Sequence, residues 1–375
     1  MSNGFTFFIA TSQWHKGAAI PTHFKALADT LVQRGHQVVI LISGSKVLQT
    51  QDTNPEVYVW PSKRPTHIAD ALFLSKLIHR KRPHCLIASF GAVNVMMVIG
   101  WLMRVPIRIA YYYTLSQQID IDAKIPIWKR NILRYRKRFV YKLCTHICPV
   151  SFAGREDLVK VYKVPVDKTY VLHTSLPDPG LSIDIQKNRY LIVCAGRLDR
   201  CKGQDIVIKS LTLMERIPLE LRVEFLGDGV LKEELERIAQ DSGVARHCIF
   251  RGTLPHDDVL QRMAKARMVL VPSRADCLPT VCIESLAVAT PVIASCVGGI
   301  PEIIRDELDG YLVPPEDPKA LANAIMRLLL MDDEKYQQMC LNARQRFLNQ
   351  FEQKRVIAKQ AIWFESIVKQ ALNHA

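Results

Sequence analysis

"MVLVPSRADCLPTVCIESLAVATPVIAS", residues 268–295, decides the fold. Its two ends, 268–273 and 291–295, are short apolar runs without alternation, the pattern of strands buried on both faces in a parallel sheet. Between them lie a turn bearing Pro279 and a helix of small residues. An acid, Asp276, precedes the helix, and a second, Glu284, follows eight positions later inside it. A strand, a helix and a strand of this type form one crossover unit of an α/β sheet.

Working outward, the unit repeats. "YLIVCAG" (190–196), "LRVEFLG" (221–227) and "CIFRG" (248–252) read as further strands, with helical stretches such as "GVLKEELERIAQDSG" between them. The first half carries the same alternation: strands at "FTFFIAT" (5–11), "HQVVILIS" (36–43), "CLIASF" (85–90), "IRIAYYY" (107–113) and "HICPVS" (146–151), and a helix over 22–35 stopped by Gly35. The segment 175–188, rich in Pro, Gly, Ser and Asp, reads as a linker. The fold class expected is α/β, two tandem Rossmann-like doubly wound domains facing across a cleft. Their expected bounds are 1–180 and 186–355, with a last helix, 356–375, crossing back to the first domain. Ligands in such sheets sit beyond the carboxyl ends of the strands.

Charge divides the chain unevenly. Residues 1–180 hold 24 Lys and Arg against 10 Asp and Glu, and residues 181–375 hold 26 against 26, so the whole net charge of +14 lies in the first half. That half is expected to face something anionic. Ten cysteines without framework spacing point to reduced thiols and the cytoplasm. The opening "MSNGFTFFIATS" has no basic leader and suits a buried strand better than a signal peptide. "AVNVMMVIGWLM" (92–103) is too short to span a bilayer and reads as a buried helix. Cys144, His146 and Cys148 alternate along a strand without a zinc spacing, so no metal site is expected.

Two glycine-bearing loops invite nucleotide readings. In "AGRLDRCKGQD" (195–205) a Walker loop would need Gly before Lys202 and Ser or Thr after it, and both positions fail. Arg197 and Lys202 remain at a strand's carboxyl end, two cations suited to a diphosphate, or simply surface charge. In "FLGDGVLKEEL" (225–235) the third dinucleotide glycine is Lys232, so a tight turn into a helix is the better reading.

Together, "GRLDRCKG", "LGDGVLKEELERIA", "RGTL", "VLVPSRADCLPTVCIESLAVATPVIAS" and "GGIPEII" resemble the donor half of retaining glycosyltransferases of the GT-B fold, and family 4 above all. The likeness is dense over about 190–315 and fainter through "HFKALADTLVQRGHQV" and "VYKVPVDKTYVLHTSL". The resemblance implies transfer of a sugar from a nucleotide diphosphate donor with retention at the anomeric carbon. It implies that Glu284 accepts hydrogen bonds from the ribose hydroxyls, chemistry an ionised carboxylate suits. Asp276 would reach the donor sugar, although the family carries Glu there. The alternative for Asp276 is a helix cap. Arg197 and Lys202 would hold the leaving diphosphate, with no cofactor and no metal required. Gly17, Gly196 and Gly252, with the backbone around Leu278, Pro279 and Thr280, would line the donor site.

Two departures fall in the first half. Ala18 and Ala19 stand where the family often has a Gly pair. Tyr111, Tyr112 and Tyr113 occupy the strand after which it often has a histidine. His15, His23 or a tyrosine hydroxyl is then the candidate for positioning acceptor or sugar.

No acidic residue occurs from Ala123 to Arg155. Within that stretch Ile125, Trp128, Ile132, Tyr135 and Phe139 recur at three- and four-residue spacing, and Lys129, Arg130, Arg134, Lys137 and Arg138 lie largely off the stripe. This is a basic amphipathic helix, suited to an anionic membrane surface or to packing on a core with its basic face in solvent. The resulting expectation is a cytoplasmic enzyme, peripheral on the inner face of the membrane, acting on a glycan or glycolipid in polysaccharide or lipopolysaccharide biosynthesis. A donor-binding but inactive relative and a sugar-nucleotide epimerase are the alternatives on the same fold. Nucleic acid is not an expected partner, since no base-reading motif is present.

Overall fold

The computed structural model describes residues 4–11, 18–43, 53–122, 125–182 and 185–373. The chain divides into two compact units. The first comprises Met1–Tyr113, Ile125–Leu176 and Gln353–Ala375, and the second Thr114–Lys124 and Pro177–Glu352.

In the first unit β1 (Thr6–Ala10), β2 (Gln37–Ile42), β3 (Glu56–Val59), β4 (Cys85–Ala88), β5 (Ile107–Tyr112) and β6 (His146–Pro149) form one sheet in the order β3-β2-β1-β4-β5-β6. All neighbours are parallel. This is the doubly wound order, which reverses between β1 and β4. Phe7, Phe8 and Ile9 on β1 are wholly buried, because helices cover both faces of the sheet. The helices are α1 (Ala19–Gln33), α2 (Ile68–Lys81), α3 (Ala92–Leu102), α5 (Ile127–Leu143) and α6 (Phe152–Tyr162); α4 (Ser116–Asp122) belongs to the second unit.

The second unit repeats the plan. Its strands are β7 (Asn188–Ala195), β8 (Arg222–Leu226), β9 (Cys248–Gly252), β10 (Ala266–Val271), β11 (Val292–Ser295) and β12 (Gly310–Val313). They lie parallel in the order β12-β11-β10-β7-β8-β9, the same winding counted from β7, with its reversal between β7 and β10. Helices α7 (Gln204–Thr212), α8 (Lys232–Asp241), α9 (His256–Lys265), α10 (Thr280–Ala287), α11 (Ile300–Ile303), α12 (Pro318–Leu330) and α13 (Asp333–Gln350) cover it. The last helix, α14 (Gln353–Asn373), packs on α1 of the first unit. There Glu365 receives two hydrogen bonds from Arg34, at 2.6 and 2.8 Å, and lies 2.8 Å from His36 Nε2.

Two sequence expectations change. Residues 114–124, read as part of the first domain, pack with the second unit, where α4 lies beside the loop after β7. The run 92–103, read as a buried helix, buries one face through Val93, Met96, Met97 and Gly100 but exposes Trp101 and Leu102 at its end. No helix among the described residues is long and apolar enough to cross a membrane.

Candidate active site in the second unit

The loops that follow β7 and β10 flank the point where strand order reverses, the place where open α/β sheets bind ligands. Backbone contacts lock them together. Arg274 N–H donates to Cys201 O at 2.8 Å, and Cys201 Sγ lies 3.1 Å from Ala275 O. Gly203, at φ +71°, comes so close to the β10 loop that a Cβ there would stand 2.1 Å from Pro272 O. Gly298, at φ +52°, does the same to Asp276: a Cβ would stand 1.8 Å from its carbonyl oxygen, which Gly299 N–H also holds at 3.1 Å. Only glycine permits both the backbone angle and the approach. Asp276 is thus clamped before its side chain makes any contact.

That side chain pairs with Lys202, Oδ2 to Nζ at 2.5 Å, joining the two loops across the switch point. Burial lowers the Lys202 ammonium, but Asp276 and then Asp199 more than offset it, so its pKa is raised. Asp276 is not the helix cap that was its alternative reading. Pro279 stands at the N-cap of α10 and offers no capping side chain. Of the first-turn N–H groups of α10, that of Cys282 turns back to Pro279 O at 3.2 Å, and those of Thr280 and Val281 have no capping side chain.

One turn into α10, Glu284 is 8 % exposed, and no donor among the described residues reaches its carboxyl. Burial pushes it up from an ordinary 4.5 to about 7. Burial first, and then the Asp276 carboxylate, raise the pKa of the Cys282 thiol, which lies two residues before Glu284 in the same helix. Ser273 Oγ on the β10 loop and Gln204 Oε1 at the start of α7 are also buried without a hydrogen bond. Buried polar atoms are rarely left unpaired in folded proteins, so such a concentration marks a place that awaits a polar ligand.

Sequence reasoning missed three groups here. Asp199 accepts from Lys202 N–H at 3.2 Å and lies 2.9 Å from the exposed guanidinium of Arg197. Asp122 of α4 accepts from Cys201 N–H at 3.2 Å, with its carboxyl raised by burial and then by Asp199. Arg274 grips both carboxylate oxygens of Asp205 at 2.8 and 2.9 Å and reaches Glu316, bracing the β10 loop on α7. An Asp at the start of a turn is a helix-capping residue type, the one local signal that could have found Asp199; nothing local marks the other two. The two expected cations therefore stand among acids, and neither is a bare phosphate grip.

Of the other candidates, Gly196 (φ +144°) follows the last residue of β7 and Gly252 (φ +68°) ends β9, where its carbonyl accepts from Gly227 N–H at 2.8 Å. Leu278 is buried beside Pro279 and Thr280 at the mouth of α10. In the first unit, His15 and Gly17 lie outside the described residues. His23, a candidate for positioning substrate, is instead wholly buried in the core. Its Nδ1 is bound to Ser175 at 2.8 Å, and burial lowers its pKa to about 4, so it is neutral and structural. Tyr111 packs against Phe24, and Tyr112 hydrogen-bonds Asp157 on the opposite face; both are buried core residues rather than substrate contacts. Only Tyr113, stacked between Phe90 and Tyr111, reaches partial exposure.

The basic helix is α5, and its apolar stripe faces outward. Trp128, Ile132, Tyr135 and Phe139 are all more than half exposed, which removes the core-packed alternative. Lys129 is exposed beside Trp128, and Arg130 and Arg134 are partly exposed. Lys137 does not face outward as expected: it lies over the rings of Tyr112 and Tyr162, where burial lowers its pKa. Arg138 is likewise anchored inward, donating to Val161 O at 2.7 Å.

Comparison with known proteins agrees with this architecture. The model described as Glycosyltransferase Family 4 matches residues 20–176, and that described as Glycosyl transferases group 1 matches 182–346. The chain belongs to the family 4 glycosyltransferases. It is 25% identical to an uncharacterized glycosyltransferase of Methanocaldococcus jannaschii over 82% of this chain and 84% of that one. It is 31% identical to the GDP-mannose-dependent alpha-(1-6)-phosphatidylinositol monomannoside mannosyltransferase of Mycolicibacterium smegmatis, over 41% of this chain and 43% of that one. Its fold matches Anabaena HepE, solved in complex with UDP and glucose, at a TM-score of 0.76 and 16% identity, covering 96% of this chain and 100% of that one. The protein is therefore a glycosyltransferase of the GT-B type.

Proposed function

We propose that the protein transfers a sugar, with retention, from a nucleotide diphosphate donor to a lipid-linked glycan in cell-envelope polysaccharide or lipopolysaccharide assembly. The observation that carries the reading is Glu284, a buried carboxyl that no donor among the described residues reaches, in the helix that follows the loop holding the Lys202–Asp276 pair. Two vicinal ribose hydroxyls supply the donors that the carboxylate lacks. The diphosphate takes Lys202 from Asp276, and Asp276 turns to the donor sugar's hydroxyls, so the ion pair pre-positions both partners. The bond from anomeric carbon to phosphate oxygen breaks, and its electron pair leaves with the diphosphate. The acceptor oxygen bonds the same face of the carbon and passes its proton to the departing phosphate oxygen. Lys202, Arg197 and the α10 N–H groups stabilise the charge that grows on that leaving group, without a divalent metal.

The acceptor class rests on α5, whose exposed aromatic stripe and cations suit an anionic membrane surface. The Mycolicibacterium relative, whose name gives a phosphatidylinositol mannoside as its substrate, supports the same class. The test is thermal shift against nucleotide diphosphates and their sugars in the presence of a chelator. A selective shift that Glu284→Ala removes is expected; no shift with any nucleotide would overturn the reading. A second reading, donor binding without transfer, draws on the burial of His23, Tyr111 and Tyr112, which leaves the family histidine without a replacement at those positions. A shift without turnover on any membrane acceptor would select it.

A further inference from the structure

In the first unit a cavity of about 450 Å³ lies between the second half of α5, the end of α6 and the segment 163–168. That volume lies within the range of small-ligand sites. Four cations line it, Arg138, Lys142, Lys163 and Lys168, together with Tyr135 and Phe139, and no carboxylate does. Arg138 is pinned by two hydrogen bonds to Val161 O, at 2.7 and 3.3 Å, and Lys168 Nζ lies 3.4 Å from Cys144 O. Lys142 and Lys163 are exposed, and neither has an ion pair among the described residues. A cavity ringed by positive charge repels itself unless an anion occupies it. We infer that it receives the phosphate of an anionic phospholipid headgroup.

The surroundings favour a lipid over a free anion. Tyr135 and Phe139, at 67% and 60% exposure, stand at the cavity, and the apolar stripe runs on through Ile132 and Trp128 along the same helix face. Aromatic side chains of this type seat at the level of headgroups, with cations reaching the phosphates beside them. The cavity would thus give α5 a defined register on the bilayer rather than diffuse attraction. The inference rests on the membrane-acceptor reading above and adds a specific site to it.

The test is flotation of the full chain with vesicles of phosphatidylcholine alone and with about a third phosphatidylglycerol, with and without inorganic phosphate. Lys142→Gln/Lys163→Asn removes two surface-directed cations, and about 1 kcal/mol for each corresponds to about a thirtyfold loss of binding to the anionic vesicles. Asn suits the left-handed backbone at Lys163, φ +55°, and an unchanged melting temperature would confirm the fold. Trp128→Ser/Ile132→Ser should weaken binding to both kinds of vesicle. Wild-type flotation by the double lysine variant would overturn the headgroup site and leave the membrane reading standing. Inorganic phosphate at matched ionic strength should compete with the anionic vesicles for the wild type; a thermal shift with phosphate that the double lysine variant loses while its flotation stays as in the wild type would reassign the cavity to a free anion. No flotation of the wild type on any vesicle would overturn the membrane reading and this site together, leaving donor binding by thermal shift to stand on its own.

Discussion

Glu284→Gln should remove a pH dependence from the protein's stability. Burial moves this carboxyl from 4.5 to about 7, so the folded chain holds a proton that the unfolded chain has released. The sign follows from that difference: stability is full below about pH 4.5 and falls as pH rises toward 7, because ionisation forces a charge into the site. A shift of that size corresponds to about 3 kcal/mol, reached above pH 7. Gln keeps the shape and cannot ionise. Urea midpoints measured at pH 5, 6, 7 and 8 should show wild type and variant diverging in favour of the variant as pH rises. Parallel profiles would refute the reasoning. The same carboxyl supplies a second readout. Ribose hydroxyls that donate to it favour the anion, so donor binding near pH 6 should release a proton. Calorimetry in two buffers of different ionisation heat would detect the release, and both the Gln variant and a 2′-deoxy donor should lack it.

Lys202→Ala should abolish transfer and also cost about 3 kcal/mol, since it strands Asp276 in a buried site; Lys202→Met/Asp276→Leu should recover most of that stability but no activity, which a denaturation cycle measures. Gly298→Ala should lower kcat at least tenfold by pushing the Asp276 backbone away; unchanged kinetics would show that the clamp is not needed. Arg34, and after it His36, hold the Glu365 carboxyl down to about 2, so Glu365→Gln should destabilise the first unit by about 1 kcal/mol at neutral pH. That difference should fade as pH falls from 4.5 toward 2, and a pH series of melting temperatures tests it. Disruption of the donor site should leave α5 untouched, so Glu284→Ala should float with anionic vesicles as the wild type does.

The α/β winding was legible because buried parallel strands are continuous apolar runs, and each of "FTFFIAT", "YLIVCAG" and "MVLVPS" became a strand where it was expected. The acids and cations of the candidate site were legible because their spacing around a strand end is a local feature. The fate of His23 was not. A histidine in an amphipathic helix looks the same whether it faces solvent or Ser175, 152 residues away. Tyr111 and Tyr112 failed for the same reason, since strand alternation shows that they point apart but not that both sides are filled.

By itself the sequence determined the strand and helix pattern, the restriction of excess charge to the first half and the residue types near the switch point, all carried by spacing over a few residues. Tertiary structure alone decided that Lys202 meets Asp276 rather than standing free, and that Asp122 joins the second unit from a segment some 80 positions away. It also decided that the apolar stripe of α5 faces outward while Lys137 turns in. Those outcomes depend on which faces are covered once the chain has packed. Burial and pairing between distant residues set them, and no local pattern encodes either.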